Sequence, residues 1–425
     1  MGEAEFKKIK TILDFALKNK FSSFYRDKYE KDKFNIKSVR NYDDFQKIPL
    51  LIKKEITEAP PIGRIFVSED KVGCWVRTSG TTSAQPLLIP AAFLQSEHLN
   101  VLAELLAKYK VKKSLSIRPA GMLSIDLFDF NSHPKLSSYP VILGDMANLD
   151  LSARIAAGIE VDGIDTTPSA LYFLIPFLKE VYDLNKIKFI RLAGEFTSEQ
   201  KYRFFKSYFK NAYFHFDLGA MEARGSIALR CDLLNNNYSP RFYHPKKDFL
   251  YEIIDEKGCI AKVGEAGELV ITSLFISPFP LVRYKTGESA SISEFKCVCG
   301  RKQIMELFGR IGYDFLRVGG VALHRHLVED ALSHLFKGNF EGDYELHVFE
   351  EIYKNRLVPK LILKITSNIK DPSSFAAEFE KKLRVSSNTF LEKLVQEELF
   401  APTQIEITDK FEESYKKIKI ISHIK

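Results

Sequence analysis

The chain reads as a multidomain α/β protein: a large N-terminal α/β domain with mostly parallel sheets and a small antiparallel sheet, followed by a small C-terminal α+β domain. Three observations predict this. Short apolar runs alternate with amphipathic helical stretches from Val72 to Cys231. Strands then follow one another without long helices between Asp248 and Ile292. After Gly309-Arg310 a new unit starts with its own strand and helix order. Alternating strands and helices build parallel sheets, whereas successive strands build antiparallel ones.

In order along the chain, the first seventy or so residues read as helices and turns ending in "KIPLLIKKEI". The runs "VGCWV", "PLLIP", "GMLSIDLF" and "YPVILG" read as strands, and "LQSEHLNVLAELLAKY" and "PSALYFLIPFLKEVY" as helices. "IKFIRLAG", "YFHFDLG" and "GSIALRC" continue the strand series. "FLYEIID", "GELVITSL", "PLVRYKTG" and "SASIS" give the antiparallel sheet. The final unit has "FLRVGGVAL", a helix from about Arg325 to Phe336, "YELHVFEEI", "LVPKLILKIT", the helix "SSFAAEFEKKLRVSS" and "TQIEIT". This βαββαβ-like order sets the domains at 1–308 and 309–425, each with room for its own core.

A chain of 425 residues, 45% hydrophobic and 28% charged, has a globular composition. No apolar run is long enough to span a bilayer, and the N-terminus lacks a signal peptide's blocks. Phe6 rules out the myristoylation motif. A cytoplasmic protein without membrane contact is expected. The charge of +7 is spread over lysines, clustered at "KVKK" and "YKKIKIISHIK" without interleaved aromatics. That pattern fits a solvated surface that attracts anionic substrates better than a nucleic-acid interface. Five cysteines are an odd count, against a disulfide framework.

"TSGTTSAQPLLIP", Thr78 to Pro90, gathers five hydroxyls around one glycine. Such a loop suits phosphate oxygens, although a polar turn between strands has the same composition. A Walker A loop is excluded, because no Gly-Lys-Ser/Thr follows and "LLIP" continues as a strand. No G-x-G-x-x-G occurs either.

Taken in order, the motifs resemble those of adenylate-forming enzymes, the acyl- and aryl-CoA synthetases. The shared pieces are "TSGTTSAQP", "GAMEARGSIALRCD", "GEAGELVITSL…PLVRYKTGE" and "FGRIGYDFLRVGG". The phenylacetate-CoA ligase-like branch is similar also in "FYRDKYE", "IPLLIKKE", "TTPS" at Thr166 to Ser169, "AGE" at Ala193 to Glu195, and the C-x-C-G-R run. The resemblance implies an acid–thiol ligase that uses ATP and Mg²⁺ to make an acyl-adenylate, releases AMP, and passes the acyl group to coenzyme A. A carrier-protein phosphopantetheine, a partner cysteine or an amine are alternative acceptors, and a homodimer is an allowed assembly. It places Thr78, Ser79, Gly80, Thr81 and Thr82 on the ATP phosphates, where donors stabilise charge built up at phosphorus. Glu222 corresponds to the Mg²⁺ ligand. Gly194 and Glu195 correspond to the adenine-side loop, Gly219 to the stretch before the Mg²⁺ glutamate, Glu288 to the ribose carboxylate and Arg310 to a ribose or phosphate contact. Arg283 and Arg310 also suit interdomain ion pairs. Lys417 aligns with the adenylation lysine, with Lys416 as the neighbouring alternative and a solvated basic tail as a third reading. The C-terminal domain is expected to hinge near Gly312 to Asp314.

The chain departs from the family pattern at Ser83, Leu218, Met221 and the single hinge aspartate Asp314. These departures also fit a divergent, zinc-stabilised, non-catalytic binding protein on the same fold. Cys297 and Cys299 form C-x-C. With Cys231 and His244, as in some phenylacetate-CoA ligase-like proteins, they make a Cys₃His set for structural Zn²⁺, His215 being the other candidate for the fourth position. Cys74 and Cys259 read as core residues. The phenylalanines of "PSALYFLIPF" and "DLFDFNSHP", and Met221 after "HFDLGA", point to an apolar or aryl acid.

Overall fold

A computed structural model describes residues 3–77, 87–92, 97–118, 127, 129–131, 133–195, 197, 199–255, 257–310, 315–319, 321–337, 343–385, 389–411 and 420–424. It forms two compact units. One comprises Met1–Thr197 with Tyr202–Gly309, the other Ser198–Lys201 with Arg310–Lys425.

Helices α1 (Glu3–Leu17), α2 (Phe24–Lys31), α3 (Tyr42–Phe45) and α4 (Lys53–Glu58) make up the N-terminal stretch. An antiparallel hairpin follows, β1 (Cys74–Arg77) with β2 (Leu88–Ala91), and then helix α5 (Glu97–Lys108). The strand expected at "PLLIP" is thus present as β2, which a Walker A loop does not have at that place. The large unit is built on one continuous 11-stranded sheet. Its parallel half runs β4 (Val141–Leu143), β3 (Ser114–Ile117), β5 (Gly163–Thr166), β6 (Phe189–Ala193) and β7 (Tyr213–Ala220). Helices α6 (Leu149–Gly158), α7 (Pro168–Val181) and α8 (Glu199–Tyr208) connect these strands.

Past β7 the sheet turns antiparallel through β8 (Gly225–Leu229) and β9 (Phe242–Pro245), with α9 (Asp232–Asn237) between them. It continues through β13 (Gln303–Arg310), β12 (Tyr284–Glu294), β11 (Gly267–Ser273) and β10 (Phe249–Ile254). Two sequence expectations change here. The small antiparallel sheet is not separate but extends the parallel one, because β8 and β9 bridge them. "PLVRYKTG" and "SASIS" are not two strands. From Tyr284 they form the single strand β12, and Gly287 (φ 79) sits in a bulge where pairing shifts from Glu268↔Ser289 to Val270↔Lys285. Glycine takes that left-handed conformation without a Cβ clash.

The sequence reading also missed β3, α6 and β5. β3 is "SLSI" and β5 is "GIDT", fully buried strands that carry polar side chains. Buried parallel strands normally read as continuous apolar runs, so these gave a weak signal.

In the smaller unit, β14 (Phe315–Val318) pairs antiparallel with β15 (Val321–His324), ahead of α10 (Arg325–Leu335). A four-stranded sheet in the order β18 (Gln404–Ile407), β17 (Arg356–Ile365), β16 (Tyr344–Tyr353), β19 (Ile420–Ser422) carries α11 (Pro372–Lys382) and α12 (Leu391–Gln396). Leu323, Val328, Leu346, Leu361, Leu363, Phe379 and Phe400 are its buried core. No helix among the described residues is long and apolar enough to cross a membrane.

Candidate nucleotide and metal sites

The fold brings separate sequence motifs into contact. "IPLLIKKE" meets "PLVRYKTG": Leu51 bridges Tyr284, with Leu51 N donating to Arg283 O at 2.9 Å and Lys285 N to Leu51 O at 2.9 Å. The Arg283 guanidinium is buried here. Its Nε donates to Glu252 Oε2 at 3.0 Å, and its Nη1 to Ile48 O at 2.6 Å and to Gln46 O. Arg283 is therefore committed to partners inside the large unit.

"TTPS" meets "AGE" at the carboxyl ends of β5 and β6, where open α/β sheets bind ligands. Thr167 caps α7 by accepting from Ala170 N. Ser169 donates from its N at 3.1 Å and its Oγ at 2.5 Å to Glu195 Oε2. A carboxylate at a helix N-terminus satisfies free N–H groups and the helix dipole. Gly194 supplies the turn with φ 85. The Glu195 side chain thus braces the loop against α7.

β7 carries the next segment. Its pairing with β8 slips between Leu218 and Gly219, and a Cβ at Gly219 would lie 3.2 Å from Gly225 O. Glycine permits that close approach. Leu218 turns onto the main core, and Met221 packs with Cys74 against Val76 and Ala91. The hairpin that flanks Thr78–Pro86 therefore rests on the residue beside Glu222. Glu222 is buried, 8% exposed, and its Oε1 lies 3.0 Å from Lys53 Nζ. Glu288 follows the β12 bulge, with its N donating to Thr286 Oγ1 at 3.1 Å. Thr78, Ser79, Gly80, Thr81, Thr82, Ser83, Asp314, Lys416 and Lys417 lie outside the described residues, as does the side chain of Arg310.

Cys231, His244, Cys297 and Cys299 converge from three elements, their ligand atoms all within 4.8 Å of one another. Cys231 precedes α9, His244 lies in β9, and the C-x-C pair sits in the turn between β12 and β13. Cys231 Sγ is 3.4 Å from His244 Nε2 and 3.5 Å from Cys297 Sγ, and Cys299 Sγ is 3.6 Å from His244 Nε2. Sulfurs each about 2.3 Å from a central ion at the tetrahedral angle lie about 3.8 Å apart, so these edges fit a Zn²⁺ tetrahedron. His244 Nδ1 donates to Gln303 O at 2.8 Å, which leaves the Nε2 lone pair facing the thiols. Burial pushes the Cys231 thiol up to about 12. Burial opposes ionisation at Cys299 too, but hydrogen bonds from the Arg301 backbone N–H, Cys297, the Arg301 side chain and Cys231 together outweigh it and lower that thiol. The donor set and its spacing fit a structural zinc ion.

His215 belongs elsewhere. With His98 and Asp217 it forms a second cluster of metal-ligand type, fully buried. Hydrogen-bond donors decide its chemistry. Arg191 Nη2 can only donate, and it lies 3.2 Å from His98 Nε2, so the His98 proton sits on Nδ1, 3.3 Å from Asp217 Oδ1. Asn235 Nδ2 is 3.3 Å from His215 Nδ1, so the His215 proton sits on Nε2, also 3.3 Å from Asp217 Oδ1. Arg230 Nε donates to Asn235 Oδ1 at 2.8 Å, which fixes the amide's orientation. Both rings therefore present N–H, not lone pairs, to the carboxylate, and the cluster is an ion-pair network. Arg191 Nε donates to Asp217 Oδ2 at 2.5 Å and Nη1 to Asp165 Oδ2 at 3.2 Å, and Arg118 Nε donates to Asp165 Oδ1 at 2.8 Å. Burial raises the Asp217 carboxyl, but His98, Arg191 and His215 together hold it well below the usual range. Burial also pulls His98 down to about 3, against the attraction of Asp217.

This network was not foreseen, although "HFDLG" held two of its members. It occupies one face of the sheet in register, Asp165↔Arg191↔His215. A small cavity beside it is lined by Leu102, Leu106, Phe130, Tyr139, Asp165 and Arg191 among others. Phe130 comes from the expected "DLFDFNSHP" segment, but no residue of α7 lines this cavity.

No family profile and no curated protein sequence matches the chain. Solved structures do. 2-Hydroxyisobutyryl-CoA ligase, in complex with 2-HIB-AMP and CoA in the thioesterification state, superposes with a TM-score of 0.68 at 14% identity, over 99% of this chain and 89% of that one. An open conformation of the same ligase gives 0.60 at 14% identity, over 99% and 91%. o-Succinylbenzoate CoA synthetase from Bacillus subtilis gives 0.50 at 16% identity, over 82% and 68%. What this chain shares with these CoA ligase and CoA synthetase structures is their fold.

Proposed function

We propose that the protein activates a carboxylic acid as its acyl-adenylate with Mg·ATP and transfers the acyl group to a thiol, coenzyme A in the first place. The observation that carries this reading is the packing of Val76 and Ala91 on Met221. It brings β1 and β2, the strands on either side of the hydroxyl-rich segment in sequence, against the residue before Glu222, which supports phosphate binding beside a Mg²⁺ ligand. The acid's carboxylate attacks the α-phosphorus, the P–O bond to pyrophosphate breaks, and the thiol then displaces AMP. Hydroxyl and backbone N–H donors of Thr78 to Thr82 stabilise charge on the phosphate oxygens. Lys417, or Lys416 beside it, supplies the cation that offsets repulsion between carboxylate and phosphate. Gly194, Gly219, Glu288 and Arg310 are assigned to the nucleoside side. Glu195 acts there by fixing the loop through Ser169. The domains at 1–308 and 309–425 divide this chemistry, the second carrying the lysine.

Cys231, His244, Cys297 and Cys299 are assigned to one zinc ion with a structural task, since all four positions of the tetrahedron are filled by protein. The substrate is assigned to apolar or aryl acids on the strength of Phe130. Chromatographic detection of AMP and pyrophosphate with ATP, coenzyme A and an acid panel tests the reading. Nucleotide binding without turnover on every acid would favour the non-catalytic alternative, which the loss of a hydroxyl at Met221 supports.

A further inference from the structure

The run C-x-C-G-R contains two metal ligands and an arginine to which the zinc assignment gives no task. Arg301 spans two structures. Its Nη1 lies 3.7 Å from Cys299 Sγ, and its Nη2 donates to Glu97 Oε1 at 2.7 Å in the first turn of α5. Glu97 Oε2 also accepts from Lys247 N at 3.3 Å, three residues beyond the ligand His244. At the other end of α5, Lys108 pairs with Asp232, the residue after the ligand Cys231. Tyr213 OH donates to the second oxygen of Asp232 at 2.8 Å. All three ligand-bearing segments are thereby tied to one helix.

Charge gives this arrangement a reason. Zn²⁺ with three thiolates and a neutral imidazole has a net charge of −1. The guanidinium beside Cys299 offsets it, and a planar fork engages a sulfur and a carboxylate at once, which an ammonium does poorly. α5 also places His98 against Asp217, and Leu102 and Leu106 against the cavity. Movement of α5 therefore displaces the wall of that cavity and one arm of the buried network.

We propose that Arg301 is a positioning residue that couples occupancy of the cysteine–histidine site to the placement of α5. The proposal rests on the zinc assignment above. The experiment uses the full chain, stripped with a chelator and reloaded with Zn²⁺, as wild type, R301Q, R301K and E97Q. Zinc affinity is read by competition with a chromophoric chelator. The order of α5 is read by hydrogen exchange at Val101 to Glu104, whose amides bond to carbonyls of the first helical turn. In R301Q, zinc affinity is expected to fall about 10–100-fold, as for other outer-sphere partners. R301K recovers part of the affinity through its charge but not the α5 protection. E97Q keeps wild-type affinity within about twofold, yet exchanges faster at Val101 to Glu104 even when loaded. Removing zinc from the wild type speeds exchange at those amides and leaves Leu346 and Leu361 unchanged.

Wild-type affinity in R301Q, or α5 exchange in the wild type indifferent to zinc, overturns the proposal while one zinc per chain still upholds the assignment. A wild type that takes up no zinc overturns both.

Discussion

Replacing Cys297 by serine should remove the metal and a large part of the large unit's stability. The magnitude follows from the chain segments the site closes. Cys231 and His244 are 13 residues apart, and His244 and Cys299 are 55 apart. In the loop-closure treatment of cross-links, segments of that length restrict the unfolded chain by about 3 and about 4 kcal/mol. Both closures are lost with the ion, for a total of about 7 kcal/mol in the entropic limit. Cross-links often deliver less, so about 3–7 kcal/mol is expected. At roughly 2 °C per kcal/mol for a unit of this size, the melting temperature should fall by about 6–14 °C. The assay is differential scanning calorimetry of wild type with and without chelator beside Cys297→Ser, with metal content measured by mass spectrometry. The variant should match the chelated wild type. A chelated wild type that melts within a degree of the loaded protein, or a protein purified without zinc, would refute the reasoning.

Glu222→Gln should abolish acid-dependent pyrophosphate release while leaving the melting temperature within a few degrees, since it removes charge but not volume; undiminished pyrophosphate exchange would end the Mg²⁺ assignment. Lys417→Ala should slow adenylation on the order of 10²–10³-fold and spare thiolysis of a preformed adenylate. Lys416→Ala is the control, and equal behaviour of the two would make both lysines surface residues. Acid should destabilise the protein through His98. Its folded pKa, about 3, lies below the usual value of 6.5, so the unfolded chain takes up the extra proton. The stabilising effect is complete above about pH 6.5 and is lost on the way down towards pH 3, by about 1.4 kcal/mol per pH unit for one group. Denaturant melts of wild type and His98→Gln across that window should diverge, and parallel curves would show that His98 titrates normally. Asp217→Asn should cost about 3–5 kcal/mol, because it leaves Arg191 short of a buried counter-charge and turns an amide towards ring N–H groups; a loss below 1 kcal/mol in urea titration would contradict the network.

Local chemistry made much of this protein readable from its residues alone. Strands such as "FIRLA" and "GELVITS" follow from their β-branched and apolar content, whereas the Cys₃His set comes through the resemblance to ligase-like proteins, with His215 still open for the fourth position. The two-part order of elements followed from where helices stop alternating with strands. Other properties exist only once distant segments meet. β3 and β5 escaped notice because Ser114, Ser116 and Asp165 break the apolar pattern, and the Asp165 carboxylate can be buried only where Arg118 and Arg191 reach it from neighbouring strands. The same holds for His215, a zinc ligand by type, which the Asn235 amide donor on one side and the accepting Asp217 carboxylate on the other commit to an ion-pair network. Arg283 suited an ion pair between domains, yet Glu252 and two carbonyls of the N-terminal stretch take it up. Sequence specifies which groups need partners. Tertiary structure decides which partner each receives, because a buried charge is tolerated only where geometry supplies its complement.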